Sequence, residues 1–138
     1  MVDSLRIDRI VPAPPDRVWT ALTEPSALAA WFWPPAFDTK VEADPRPGGL
    51  YRIESAARGL AVAGSYVTVD PPRRLVFTWR WAGEDDDTLV TIELSPVDNG
   101  TALTLTHERF ADPQARTNHA IGWSDCLDRL PALLGPTP

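Results

Sequence analysis

From Phe37 to Arg109 the chain is one short apolar/polar alternation after another, each ending at a turn signal. Such period-two runs form half-buried strands, and connections this short join neighbouring strands into an antiparallel meander. The runs cover 37–43, 49–55, 60–70, 73–82, 87–95 and 100–109, separated by Pro-Gly-Gly, Arg-Gly, Pro-Pro, Gly-Glu-Asp-Asp and Asp-Asn-Gly. The clearest face belongs to 73–82, where Leu75, Phe77, Trp79 and Trp81 alternate with Val76, Thr78 and Arg80. Val90, Ile92 and Leu94 continue a dry face in the next run, and Leu103, Leu105 and His107 in the last.

A further strand precedes these. Leu5, Ile7 and Val11 share one side of 4–11, and Pro12, Pro14 and Pro15 stop it. Pro15 and Asp16 then open a short helix with Val18, Trp19 and Leu22 on its apolar side. Glu24-Pro25 breaks it, and Ser26 to Phe32 predicts a second, ended by Trp33-Pro34-Pro35. Asp112-Pro113 begins a long closing helix whose stripe is Ala115, His119, Trp123, Cys126, Leu127, Leu130 and Leu134. Pro131 is expected to kink its last turn or to end the regular helix at Leu130. Seven strands with one apolar face need a cover, and the closing helix is the element long enough to provide it. The expected fold is therefore α+β, a curved seven-stranded antiparallel sheet wrapped around the C-terminal helix. The two short helices between strands 1 and 2 plug one end, and residues 1–138 form a single domain.

Nineteen acidic against thirteen basic residues give a net charge of −6, the wrong sign for phosphate neutralisation, so nucleic acid is excluded as a partner. The start carries no signal-peptide stretch and no run approaches a membrane span, which places the protein in the cytoplasm. The lone Cys126 rules out an internal disulfide and a multi-thiolate site. It lies on the apolar stripe, as a small core residue would. Glu84 to Asp87 read as a solvated hairpin tip, so neither a metal nor a cofactor is expected. No nucleophile elbow or phosphate loop is present.

If the aromatic face of 73–82 points inward, Phe77, Trp79 and Trp81 meet the closing helix near His119 and Trp123, beside Tyr51 and Ile53. Together with Trp31, Trp33 and His107 these form the candidate ligand-binding set. The same residues also read as the core of a curved sheet, since burying each large side chain stabilises by roughly 1.5–3 kcal/mol without any ligand. His107 continues the inward face of Leu103 and Leu105, where burial lowers an imidazole's pKa. It reads either as a proton-transfer or ligand-orienting group or as a structural histidine held by a backbone carbonyl. Arg9 shares parity with Ile7 and Val11 and is expected to meet a carboxylate of the protein or of a ligand.

A set of segments in fixed order resembles the homologues of the activator of the ninety-kilodalton heat-shock-protein ATPase, within the START-like (SRPBCC) helix-grip superfamily. They are 13–19 with 22–25, Ala30-Trp31-Phe32-Trp33-Pro34, Gly48-Gly49-Leu50-Tyr51-Arg52, 64–72, 74–79, Thr106-His107-Glu108-Arg109-Phe110 and Gly122-Trp123. The resemblance covers nearly the whole chain and implies the helix-grip fold with a hydrophobic cavity under the last helix. The function carried forward is non-catalytic binding of a small hydrophobic molecule there. The alternatives are a cyclase- or dehydratase-like enzyme on a polyketide-like substrate, using His107 with Arg9 or His119, and a protein-interaction module acting on a chaperone. Co-chaperone members carry an additional N-terminal domain, for which 138 residues leave no room. A monomer and a homodimer, paired through a strand edge or the Trp31–Pro35 segment, remain equally open.

Overall fold

The computed structural model describes residues 4–84 and 87–133. The chain runs β1 (Leu5–Val11), α1 (Pro15–Thr23), α2 (Pro25–Trp31), a 3-10 turn (Pro35–Phe37), β2 (Lys40–Ala43), β3 (Leu50–Ser55), β4 (Leu60–Asp70), β5 (Arg74–Trp81), β6 (Thr88–Val97), β7 (Gly100–Glu108) and α3 (Pro113–Leu133). All seven strands form one antiparallel sheet in the order β1-β7-β6-β5-β4-β3-β2. From β2 to β7 each strand pairs with the next, as the short turns predict. The first strand closes against the last, with Leu5 opposite His107 and Val11 opposite Thr101. The chain therefore carries α1 and α2 from one edge of the sheet to the other.

The strands turn one face toward the helices. Tyr51, Ile53, Val62, Tyr66, Leu75, Phe77, Trp79, Val90, Ile92, Leu94, Leu103 and Leu105 are buried in one cluster with Trp123, Cys126, Leu127 and Leu130 of α3. Val18, Ala21, Leu22, Leu28 and Trp31 of α1 and α2 join that cluster and cover the part of the face that α3 leaves open. Asp112 caps α3, its carboxylate accepting the Ala115 amide at 2.7 Å.

Three boundaries differ from the sequence expectation by more than one residue. The run 37–43 is strand only from Lys40, because Pro34 and Pro35 set up a 3-10 turn and Asp38 follows with φ 49°. β6 continues through Pro96, which lies beyond the last β5 pair, Arg74–Glu93, so its missing N–H breaks no ladder bond on that side. α3 passes through Pro131 instead of ending at Leu130, because a proline in the last turn removes only one terminal bond. Leu134 and the middle of the acidic run, Asp85 and Asp86, lie outside the described residues.

Candidate functional site

A cleft of about 520 Å³ opens between β5, α3 and the chain that leaves α2. Trp79 and Trp81 form its sheet wall, Ala115, His119, Gly122, Trp123 and Cys126 its helix wall, and Phe32, Trp33, Pro34 and Phe37 its end. Alternation puts Trp79 and Trp81 on the inner face, and the four-residue spacing of Ala115, His119 and Trp123 turns those side chains toward it. Trp33 and Trp81 lie nearly parallel, 11° apart with ring centres at 6.3 Å. Trp79 meets Trp81 edge-on at 5.6 Å, and Phe32 meets Trp123 edge-on at 5.7 Å. Glu84, Asn118 and Asp125 supply polar groups among the lining residues.

Two histidines lie behind and beside this wall, and each accepts a hydrogen bond from a tryptophan. The indole N–H of Trp123 donates to His107 Nδ1 at 2.9 Å. His107 Nε2 lies 2.6 Å from the Thr88 hydroxyl, which in turn donates to the Trp79 carbonyl at 2.9 Å. This chain is consistent in one direction only: Nδ1 accepts, so Nε2 carries the proton and gives it to Thr88. Burial, reinforced by the nearby His119, lowers the His107 pKa to about 3. On α3, His119 Nδ1 lies 2.7 Å from the Ala115 carbonyl and Nε2 accepts the Trp81 indole N–H at 2.8 Å, which assigns the other tautomer.

The ten candidate residues separate into three places. Trp33, Trp79, Trp81, His119 and Trp123 line the cleft. Trp31, Tyr51, Ile53 and Phe77 instead surround a separate void of about 30 Å³, room for one water-sized group, under α1 and α2. Phe32, Trp79 and Trp123 border both spaces and form the partition between them. His107 borders neither and is fully buried, held by two side chains and not by a backbone carbonyl. Arg9 lies away from the cleft, where it donates to Ser124 at 2.9 Å and pairs with Asp128 at 3.6 Å. Phe32, Phe37 and Gly122 belong to the cleft but not to the candidate set. Phe32 had a readable signal: it sits between Trp31 and Trp33 at a helix end, where each step turns about 100° and faces a different space.

Arg129 fixes the end wall. Its guanidinium donates to the Trp31 carbonyl at 3.0 Å and the Phe32 carbonyl at 2.7 Å, and it also pairs with Asp125. The last carbonyls of α2 are thereby capped by a cation from α3. Replacing Arg129 by Met should lower stability by about 2 kcal/mol, because two bonds to a charged, half-buried donor are lost together. Urea unfolding would measure this, with Arg129→Lys recovering little because an ammonium does not reproduce the fork. Beside it, burial pushes the Cys126 thiol up to about 12 against the opposing pull of Arg129, which makes it a poor nucleophile. Among the described residues no group of three or more His, Cys, Asp or Glu is placed to hold a metal, and no helix is long and apolar enough to cross a membrane.

The family described as Activator of Hsp90 ATPase homolog 1-like protein matches residues 12–135. No functionally curated protein matches the chain. Among solved structures, protein CV1439 of Chromobacterium violaceum is 32% identical with a TM-score of 0.85, over 99% of this chain and 100% of its own. Protein MLL2253 of Mesorhizobium loti is 26% identical with a TM-score of 0.86, over 98% of each chain. DynU16, a protein of the dynemicin biosynthetic locus, is 27% identical with a TM-score of 0.84; the match covers 97% of this chain and 48% of that one.

Proposed function

The chain belongs to the Activator of Hsp90 ATPase homolog 1-like family, and from that premise we propose that it binds a small, largely apolar molecule in the cleft between β5 and α3, without chemistry at His107. The observation that carries this reading is the cleft itself. Its volume of about 520 Å³ falls within the range of roughly 300–1,000 Å³ typical of small-molecule sites, and aromatic rings dominate its walls.

Gly122 supports the same reading. A glycine in a helix interior costs about 1 kcal/mol relative to alanine. A Cβ built at Gly122 meets nothing within 4 Å, so packing does not require the glycine, yet the position lines the cleft. Its missing side chain leaves room where a ligand would lie.

Proton transfer by His107 with Arg9 finds no support, since neither residue lines the cleft. His119 does line it, but with both ring nitrogens engaged. The similarity to a protein of a biosynthetic locus is compatible with a role in holding a biosynthetic intermediate or product. The partner proposed is thus the small molecule itself, not a chaperone.

Native mass spectrometry of freshly purified protein, with the released molecule identified, tests binding directly. Gly122→Leu should narrow the cleft at its helix wall and displace the adduct while the protein still melts cooperatively. Gly122→Ala should raise stability by up to about 1 kcal/mol. An adduct that survives Gly122→Leu would locate binding elsewhere. A clean unliganded mass, with no thermal shift across lipids, polyketides and aromatic acids, would sink the proposal.

A further inference from the structure

Among the described residues, the cleft wall holds one buried side-chain polar group without a hydrogen-bond partner, the Trp79 indole N–H. Trp31 donates its indole N–H to the Ala21 carbonyl at 2.8 Å, Trp81 to His119 at 2.8 Å and Trp123 to His107 at 2.9 Å. Trp79, packed among them and only 3% exposed, has no acceptor for its own. A buried donor left unpaired is costly, and tryptophans in cores normally find a partner. Trp79 borders both the cleft and the void, while the N–H itself is covered.

The surrounding surface restricts what could bring that acceptor. Trp33 and Trp81 stack on one another with their rings tilted by only 11° and their centres 6.3 Å apart, with Phe37 beside Trp33 at 5.7 Å. A flat conjugated ring can extend such a stack and gain from offset stacking in addition to burial, which a flexible chain does not. Glu84 and Asp125 also line the cleft, in a chain of net charge −6, so an anionic ligand meets like charge.

We propose that the cleft selects a flat, conjugated, uncharged molecule carrying a carbonyl-type acceptor, which lies against Trp33 and Trp81 and takes the indole N–H of Trp79. This rests on the small-molecule reading above and names the chemical class that reading leaves open. The N–H is buried, so the carbonyl reaches it by parting the contacts that Trp79 makes with Phe32 and Trp123, a shift for which the adjoining void of about 30 Å³ leaves room.

Four matched probes test it by calorimetry: 2-acetylnaphthalene, 2-ethylnaphthalene, 2-naphthoate and 1-decanol. The expected order places 2-acetylnaphthalene about tenfold or more tighter than 2-ethylnaphthalene, as one buried hydrogen bond allows, with 2-naphthoate and 1-decanol weaker still. In Trp79→Phe the preference for the ketone should vanish. Should that variant fail to fold, indole-labelled NMR of the unaltered protein gives the same answer: the Trp79 N–H resonance should move downfield with 2-acetylnaphthalene and not with 2-ethylnaphthalene. Equal affinities for ketone and hydrocarbon, a preference that survives Trp79→Phe, or a Trp79 N–H resonance shifted upfield by an aromatic face and indifferent to both probes would overturn the Trp79 assignment. Tight binding of 1-decanol alone would overturn the flat-ligand class and leave the cleft-binding reading standing. Binding of none of the four, with no adduct in the native mass spectrum, would remove both.

Discussion

Gly64→Ala is expected to cost at least about 3 kcal/mol and to lower the melting temperature by ten degrees or more, or to prevent folding outright. A Cβ at Gly64 would lie 2.0 Å from the Thr78 carbonyl oxygen and 2.7 Å from both its carbonyl carbon and its hydroxyl. Two of those three atoms are backbone of the adjoining β5, so the strands themselves would have to part. The close approach is built into the sheet. Between Ala63–Arg80 and Tyr66–Phe77 the regular β4–β5 pairing lapses, and the Ser65 amide bonds the Thr78 hydroxyl at 2.9 Å in its place. Tyr51, opposite Gly64 on β3, reaches across the bare position to donate its phenol to the Thr78 carbonyl. Alanine would displace that contact as well. Gly122→Ala, the same chemical change on α3, meets open space and should stabilise. Thermal melts of the two variants side by side would check the opposite signs. A Gly64→Ala protein that melts with the unaltered one would show that β4 and β5 separate at little cost, contrary to the pairing described.

The contrast between these glycines marks where sequence reading stops. Period-two alternation identifies strands and their faces, because a half-buried strand must follow it. It therefore places Trp79 and Trp81 together with Tyr51, Ile53 and Phe77 on the inner side of the sheet. It does not say what covers each stretch of that side. Leu22, Leu28 and Trp31 lie over Tyr51, Ile53 and Phe77 and close them around a small void, whereas beyond Trp79 the cover gives way and the cleft begins. Where a plug sits along a sheet depends on the length and angle of the α1–α2 excursion, and no local pattern encodes these.

The same limit applies to hydrogen-bond partners. The parity of His107 with Leu103 and Leu105 foretells its burial. Thr88, which shares the face of Val90, and Trp123, from an element without that period, come to it only through tertiary packing. At Gly48 the turn chemistry was local, and there reading and structure agree, with φ at +83° before β3. Gly64 carries no local signal, since its requirement is set by Thr78 on another strand.

Acid should weaken the fold through His107 well before most carboxylates titrate. Its folded pKa of about 3 lies below the ordinary 6.5, so below pH 6.5 the unfolded chain takes up a proton that the folded chain refuses. Stability is therefore full above pH 6.5, falls as the pH drops toward 3, and levels off below that. Across the whole window the loss is on the order of 4 kcal/mol, and between pH 7 and 5 about 2 kcal/mol. Burial is the principal cause and the neighbouring His119 adds to it. Geometry points the same way, because a proton on Nδ1 would face the Trp123 N–H that already donates there. His107→Gln keeps an acceptor for Trp123 and a donor for Thr88 but does not titrate, so its stability should change by less than about 0.5 kcal/mol over the same two pH units. Denaturant midpoints at pH 7 and 5 for both proteins decide it, and a parallel decline in the glutamine variant would show that His107 is not the cause. Trp123 forms part of the cleft wall and His107 holds its indole, so under the proposed binding function the buried imidazole has the role of fixing a ring. His107→Gln should accordingly leave ligand affinity within a few-fold of the unaltered protein at pH 7, the result that separates a binding cleft from an active site built on this histidine.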